Sequence, residues 1–314
     1  MSKNLATLLG FSAILQWSSI VGLLKKISFN IGPDLAVLFM YTFSTIILLL
    51  LFRIPNLKQI SRNYLIFATT LFVVYELCFS YAIALAQTPQ QAIEISLVNY
   101  LWPSLTIIAL ILFKELKFNI FVIMGLCISL GGIILIQTGN KSFDWNTVIS
   151  NIQSNPISYI LAFLGASLWA LYCVITRKYS HGHNPISFFF LIITIVLWLK
   201  MLISHGVPTL PEIDLTIGIY MLLVSTVTAL GYAAWNIGII RGNITILVTL
   251  SYFSPMFSSV ISMFILQTQL SLSFWHGAIL VTLGSLVCWV STSWSQIKAK
   301  LHQLHSKALK LEKF

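Results

Sequence analysis

Charge is what this chain has least of. Only 8% of its 314 residues are Asp, Glu, Lys or Arg, against 58% hydrophobic, where soluble domains carry roughly 25% charged residues. That deficit excludes a soluble globular protein, because a core of this length cannot hide so much apolar surface, whereas lipid removes the need to bury outward faces. Cysteine is also scarce. Cys78, Cys127, Cys173 and Cys288 all fall in apolar runs without metal-ligand spacing, which excludes a metal site or a disulfide framework and leaves them as small packing residues.

The six histidines lie in loops, in the tail or near a span end. No Ser–His pair or HExxH helix is present, so a membrane enzyme is not expected, and neither is a cofactor. Lysine and arginine are missing from the predicted membrane interior, which argues against a nucleotide cargo needing phosphate partners. The net charge of +10 does not imply nucleic acid, because the basic residues sit in short stretches between apolar runs and not on an aromatic-interleaved patch. No small-residue cleavage site follows the first apolar segment, so it is expected to stay as a span and not to be removed as a signal peptide.

What is abundant is apolar sequence in lengths of about 20 residues, the thickness of a bilayer in helical form. Spans are predicted near 5–24, 33–52, 63–86, 90–113, 118–136, 156–176, 185–204, 215–239, 243–266 and 272–294. With a cytoplasmic N-terminus, the inside segments hold Lys3, Arg53, Lys58, Arg62, Lys114, Lys117, Arg177, Lys178, Arg241 and the tail lysines. The outside segments hold only Lys25, Lys26, Lys141 and Lys200. This asymmetry satisfies the positive-inside rule with both termini in the cytoplasm. The segment 139–155, with Phe143 and Trp145, reads as an external interfacial loop. The tail 295–314 suits either a basic amphipathic helix on an anionic lipid surface or a solvated extension.

Comparing the halves at an offset of 152 residues pairs Trp17 with Trp169, Lys25 with Arg177, Lys26 with Lys178 and Pro33 with Pro185. The register continues through Ala82 and Ala234, Tyr100 and Tyr252, Pro103 and Pro255, Gly125 and Gly277, and Gly132 and Gly284. Each copy holds five spans, an odd number, so the second must sit upside down relative to the first. The expected fold is therefore an all-α integral membrane bundle of ten transmembrane helices in two inverted repeats, 1–138 and 156–294. Such symmetry points to alternating access around a midplane site.

Polar residues interrupt the apolar spans on defined faces. Gln91, Glu94, Asn99, Trp102 and Thr106 share an arc of about 140° on a continuous helical wheel. Thr69, Glu76, Ser80 and Gln87 share a narrower one, Thr228, Tyr232, Trp235 and Asn236 cluster in the eighth span, and Thr245, Thr249, Tyr252 and Ser259 do so in the ninth. Polar groups facing lipid cost several kcal/mol apiece, so these stripes are expected to face one another around a cavity. Interhelical hydrogen bonding, worth about 0.6 kcal/mol per contact, is the alternative for the serines and threonines. A charge at the bilayer centre costs roughly 2.5–3.5 kcal/mol even on a lenient scale, so Glu76 and Glu94 demand compensation. Either carboxyl suits a substrate ammonium or a transported proton, and the residues alone leave that choice open. Pro103 and Pro255 each remove a helical hydrogen bond and mark kinks or unwound points, read here as hinges.

The runs YELCFSYAIALAQTPQQAIEISLVNYLWPSLTI, GYAAWNIGIIRGNITILVTLSYFSP and FWHGAILVTLGSLVCW resemble the aromatic amino acid exporters of the drug/metabolite transporter superfamily, with similarity from about residue 5 to 294. The resemblance implies export of phenylalanine, tyrosine and tryptophan across a bacterial inner membrane, related amino acids or aromatic cationic toxins being further candidates. Tyr75, Glu76, Glu94, Asn99, Tyr100, Trp102, Trp235, Asn236 and Tyr252 stand where the family has the same residues, and Trp17 and Trp169 occupy matching tryptophan contexts. With Ser80 and Tyr232 from the stripes, these form the expected substrate cavity. An uncoupled facilitator, an exporter of another metabolite or cationic drug, and a membrane scaffold or receptor are the alternatives. Protons as coupling ion stay open.

Overall fold

Helix starts are set by local chemistry. Ser2, Thr88, Asn155 and Asp214 each accept a first-turn N–H through a side-chain oxygen, and Pro33, Pro89, Pro103, Pro156 and Pro255 occupy first turns, where a missing N–H costs little. The computed structural model describes residues 2–52, 54–114, 120–136, 145–181, 183–208, 213–242, 247, 250–288 and 290–291. The helices are α1 (Lys3–Ile31), α2 (Pro33–Leu51), α3 (Arg62–Ala84), α4 (Pro89–Asn99), α5 (Trp102–Leu112), α6 (Ile120–Ile136) and α7 (Trp145–Ser154). They continue as α8 (Pro156–Tyr179), α9 (Ile186–His205), α10 (Leu215–Arg241), α11 (Ser254–Leu266) and α12 (Leu272–Cys288). The described residues contain no strand.

Six of these helices, α1, α2, α3, α8, α9 and α10, are long and apolar enough to cross a membrane, and α6, α11 and α12 are shorter apolar helices. Leu50, Leu112, Phe264 and Ile203 stand on outward faces with more than two-thirds of their surface exposed, as expected where acyl chains replace water. Inside, α1 packs on α10 and α11, α3 on α8, α5 on α8, and α2 on α9 and α10. A shift of 152 residues carries α1 onto α8, α10 onto α3 and α11 onto α5. Each of the contacts α1–α10 and α1–α11 thus has a counterpart, α8–α3 and α8–α5.

The glycines pack in the same crossed way. A Cβ at Gly125 would lie 2.5 Å from the Gly284 carbonyl oxygen, and one at Gly132 would lie 2.6 Å from that of Gly277. The partners are exchanged members of the two pairs related by the 152-residue offset. Backbone meets backbone here because no side chain intervenes. Gly284→Val should therefore lower stability by about 1–3 kcal/mol through overpacking. An unfolding midpoint in detergent equal to that of the unsubstituted protein would contradict the contact.

Three sequence expectations change. The span predicted at 90–113 is two helices, broken at Tyr100 and Leu101 just ahead of Pro103. Of the kink or unwound point expected at the prolines, the structure has the unwound point, each proline standing in the first turn after it: Pro255 occupies the same place in α11, after a turn at Tyr252 and Phe253. Second, Lys25 is not a loop residue. It lies in α1, 2% exposed, with its Nζ donating to the carbonyls of Ala84, at 3.0 Å, and Ala86. Third, the segment expected to be an external loop contains α7, whose Trp145, Ile149 and Ile152 stand exposed at helical spacing. Phe143 and the tail from 295 lie outside the described residues.

Candidate functional site

A buried hydrogen-bond cluster joins three helices well away from their ends. Tyr41 of α2 donates to Glu76 Oε2 of α3 at 2.5 Å, and Tyr232 of α10 donates to Glu76 Oε1. Ser80, one turn beyond Glu76, lies 2.9 Å from the Tyr41 hydroxyl. Glu76 is 3% exposed, so each carboxylate oxygen has exchanged water for a phenol donor. Desolvating a carboxylate is expensive unless its lone pairs are met, and these contacts meet them.

Around this cluster runs a nearly continuous wall of rings. Trp169 packs on Tyr75 at 4.6 Å between centroids, on Tyr172 at 4.9 Å, and edge-on against Trp102 and Tyr232 at 6.3 Å. Trp17 faces Tyr232 at 5.0 Å and Trp235 at 5.2 Å. One cavity is lined by Trp17, Ile20, Met40, Tyr41, Tyr75, Glu76, Phe79, Ser80, Asn99, Tyr100, Trp102, Trp169, Thr228, Tyr232, Ser251 and Ser254. Its wall is aromatic, its carboxylate is Glu76, and among the described residues its lining has no lysine, arginine or histidine. Asn99 Oδ1 and Trp17 Nε1 are buried there without a partner among the described residues, and such orphaned polar atoms are costly unless a ligand or water meets them.

The structure gathers nine predicted site residues onto this cavity: Trp17, Tyr75, Glu76, Ser80, Asn99, Tyr100, Trp102, Trp169 and Tyr232. Trp235 stands behind Trp17, and Tyr252 is buried in the turn ahead of α11, while its neighbours Ser251 and Ser254 reach the cavity. Asn236 belongs to α10, but its side chain lies outside the described residues. Glu94 is not brought in. It is 7% exposed, accepts from Gln90 Nε2 at 2.8 Å and does not line the cavity. Within α4, Glu94 stands five residues, about 140° around the helix, from Asn99, which does line the cavity, and the break at Tyr100 puts Trp102 on a separate helix. Tyr41 was missed. Tyr41, Ser44 and Thr45, spaced i, i+3 and i+4 in an otherwise apolar span, were the available signal. All three are buried, and Ser44 and Thr45 bond to the Ser225 and Phe190 carbonyls at 2.9 and 2.8 Å, tying α2 to α10 and α9.

Residues 156–290 match the EamA-like transporter family. Two relatives, each called aromatic amino acid exporter YddG, from Salmonella typhimurium strain 14028s and Escherichia coli K12, are 40% identical over 93% of this chain and 99% of their own length. The chain belongs to the EamA-like transporter family. A third relative of the same name, from Ancylobacter novellus, is 23% identical over 83% of the chain and 88% of its own. A protein known from a crystal structure aligns over 93% of this EamA-like chain and 99% of its own, with a TM-score of 0.63 and 21% identity. That likeness shows a shared fold. The transporter is thus a multi-pass membrane protein whose ring-lined cavity lies among helices of both halves.

Proposed function

We propose that this transporter exports phenylalanine, tyrosine and tryptophan from the cytoplasm across a bacterial inner membrane by alternating access. The observation that carries the reading is the cavity itself, walled by tryptophan and tyrosine, with Glu76 in its lining and Asn99 Oδ1 lacking a partner among the described residues. An aromatic zwitterion needs flat apolar walls together with a few polar groups for its ammonium and carboxylate. In this reading Trp17, Tyr75, Tyr100, Trp102, Trp169 and Tyr232 hold the ring, backed by Trp235 and Tyr252. Glu76 takes the ammonium or, in exchange, a proton, while Asn99 accepts from the ammonium through its unpartnered Oδ1 or donates to the carboxylate through its amide NH2. The names of the relatives support the substrate class.

The architecture behind it is ten spans in two inverted halves, 1–138 and 156–294, with both termini cytoplasmic. The split pair α4 and α5 counts as one span, and α11 completes another with residues ahead of it. The exchanged contacts of α1–α10 with α8–α3, and of Gly125–Gly284 with Gly132–Gly277, support two copies related by a two-fold axis, and five spans in each copy are the reason to lay that axis in the membrane plane. The breaks ahead of Pro103 and Pro255 serve as matched hinges.

The test is a substrate panel in proteoliposomes, comparing phenylalanine, tyrosine and tryptophan with threonine and a cationic dye, with and without an imposed pH gradient. Aromatic amino acid flux is the expected result, and failure of all three to move would overturn the substrate assignment. Flux indifferent to the gradient would assign Glu76 to the ammonium alone and make the protein a facilitator.

A further inference from the structure

Lys25 is a buried cation that the cavity does not use. Its ammonium rests 4.0 Å from the centre of the Phe29 ring, and its partners are main-chain oxygens: Ala84, in the last turn of α3, and Ala86, just beyond it. Helix ends present unpaired carbonyls and the negative pole of the helix dipole, so a cation there replaces lost hydration. Lys25 therefore fastens α1 to the turn that joins α3 to α4.

The same turn is also held by the start of α8. Asn155, the N-cap of α8 and 9% exposed, donates to the Leu85 carbonyl and to Gln91 Oε1, both at 3.1 Å. Gln87 Nε2 donates to the Ser154 carbonyl at 2.8 Å, and Gln91 Nε2 reaches Ser154 Oγ at 3.1 Å. Residues 84–91 are thus clasped between α1, from the first half of the chain, and the start of α8, from the second.

The clasp lies at a definite height. Lys25 is eight residues beyond Trp17 in α1, and Ala84 is eight beyond Glu76 in α3, so both stand about 12 Å from the cavity residues along their helices. Under the orientation proposed above, on which this inference rests, that layer is the external one.

We infer that Lys25 and Asn155 form a latch that seals the external end of the cavity by holding the 84–91 turn, and that its release opens the cavity outward. Lys25 and Asn155 are gating residues, which touch neither substrate nor Glu76.

The test uses the full chain in right-side-out membrane vesicles, with Cys78, Cys127, Cys173 and Cys288 replaced by alanine or serine and Ile20→Cys as a reporter in the cavity wall. A membrane-impermeant maleimide is applied from outside. When an open state is a minor one, populated at roughly 0.1–10%, freeing the latch has about tenfold to gain in labelling rate. Lys25→Met is expected to show that gain and Lys25→Arg, which keeps donors in place, to label at the parent rate. Asn155→Ala combined with Gln91→Ala releases the other side of the turn and provides the same readout should Lys25→Met fail to fold. Unchanged external labelling in the folded variants, or a gain seen only from the cytoplasmic face, would overturn the latch. Phenylalanine counterflow by the unsubstituted protein is measured alongside: its absence would count against the proposed substrate and leave the labelling result standing.

Discussion

Glu76→Gln should cut aromatic amino acid flux by about 10–100-fold while the protein still inserts and folds. The estimate follows from the 1.5–3 kcal/mol carried by a hydrogen bond to a charged group. Glutamine matches the shape of glutamate but offers one acceptor oxygen and one NH2. Tyr41 and Tyr232 donate to opposite oxygens of Glu76, so in the variant one phenol faces the amide NH2, has to accept where it had donated, and must place its own proton elsewhere. The substituted site also loses the one ionisable carboxyl that lines the cavity among the described residues. Tyr41→Phe removes one donor and leaves the carboxylate, so its loss of flux should be smaller. The measurement is initial efflux from loaded proteoliposomes, normalised to folded protein by size-exclusion profile. Normal flux through folded Glu76→Gln would remove this residue from the mechanism.

The second large effect belongs to Trp169. Its ring touches Tyr75, Tyr172, Trp102 and Tyr232, which makes it the centre of the aromatic wall. Each aromatic pair contributes about 0.5–1.5 kcal/mol beyond area burial. Trp169→Ala should therefore raise the half-saturation concentration for tryptophan and phenylalanine by about 10–100-fold. Trp169→Phe keeps a flat face and should recover most of the affinity. Truncating a packed tryptophan also costs about 3–5 kcal/mol of stability, so thermal unfolding in detergent accompanies the transport assay. An alanine variant with unchanged half-saturation would place the substrate ring elsewhere.

Much of the bundle could be read from the sequence because lipid imposes simple rules. An apolar run of about 20 residues has few other uses, and the offset linking Trp17 to Trp169 and Gly125 to Gly277 survives without gaps. The cavity residues on α3 and α10 were legible for a related reason. Glu76, Ser80 and Tyr232 are too polar to face acyl chains, so their helical faces announce where the interior lies. Glu94 misled because a wheel gives angle and not depth: it lies about 7.5 Å along α4 from Asn99, the residue of that helix that reaches the cavity. The break at Tyr100 is a backbone event that periodicity cannot see, and Pro103 marks it only to within a few residues. Tyr41 escaped because phenols are common at membrane interfaces and carry no obligatory charge. Its partner is fixed by tertiary contact between α2 and α3. Lys25 looked like a loop residue because a lysine usually ends a span, and only the carbonyls of Ala84 and Ala86 make its burial affordable.

The central claim is that the two halves are copies set upside down to one another, and matched lysines test it most directly. Lys26 and Lys178 are paired by the 152-residue offset, so the account puts them on opposite faces of the membrane. In a background free of native cysteines, Lys26→Cys should react with an impermeant maleimide added outside intact cells, and Lys178→Cys only after permeabilisation. Labelling of both from the same side would contradict the inverted arrangement and the transport cycle built on it.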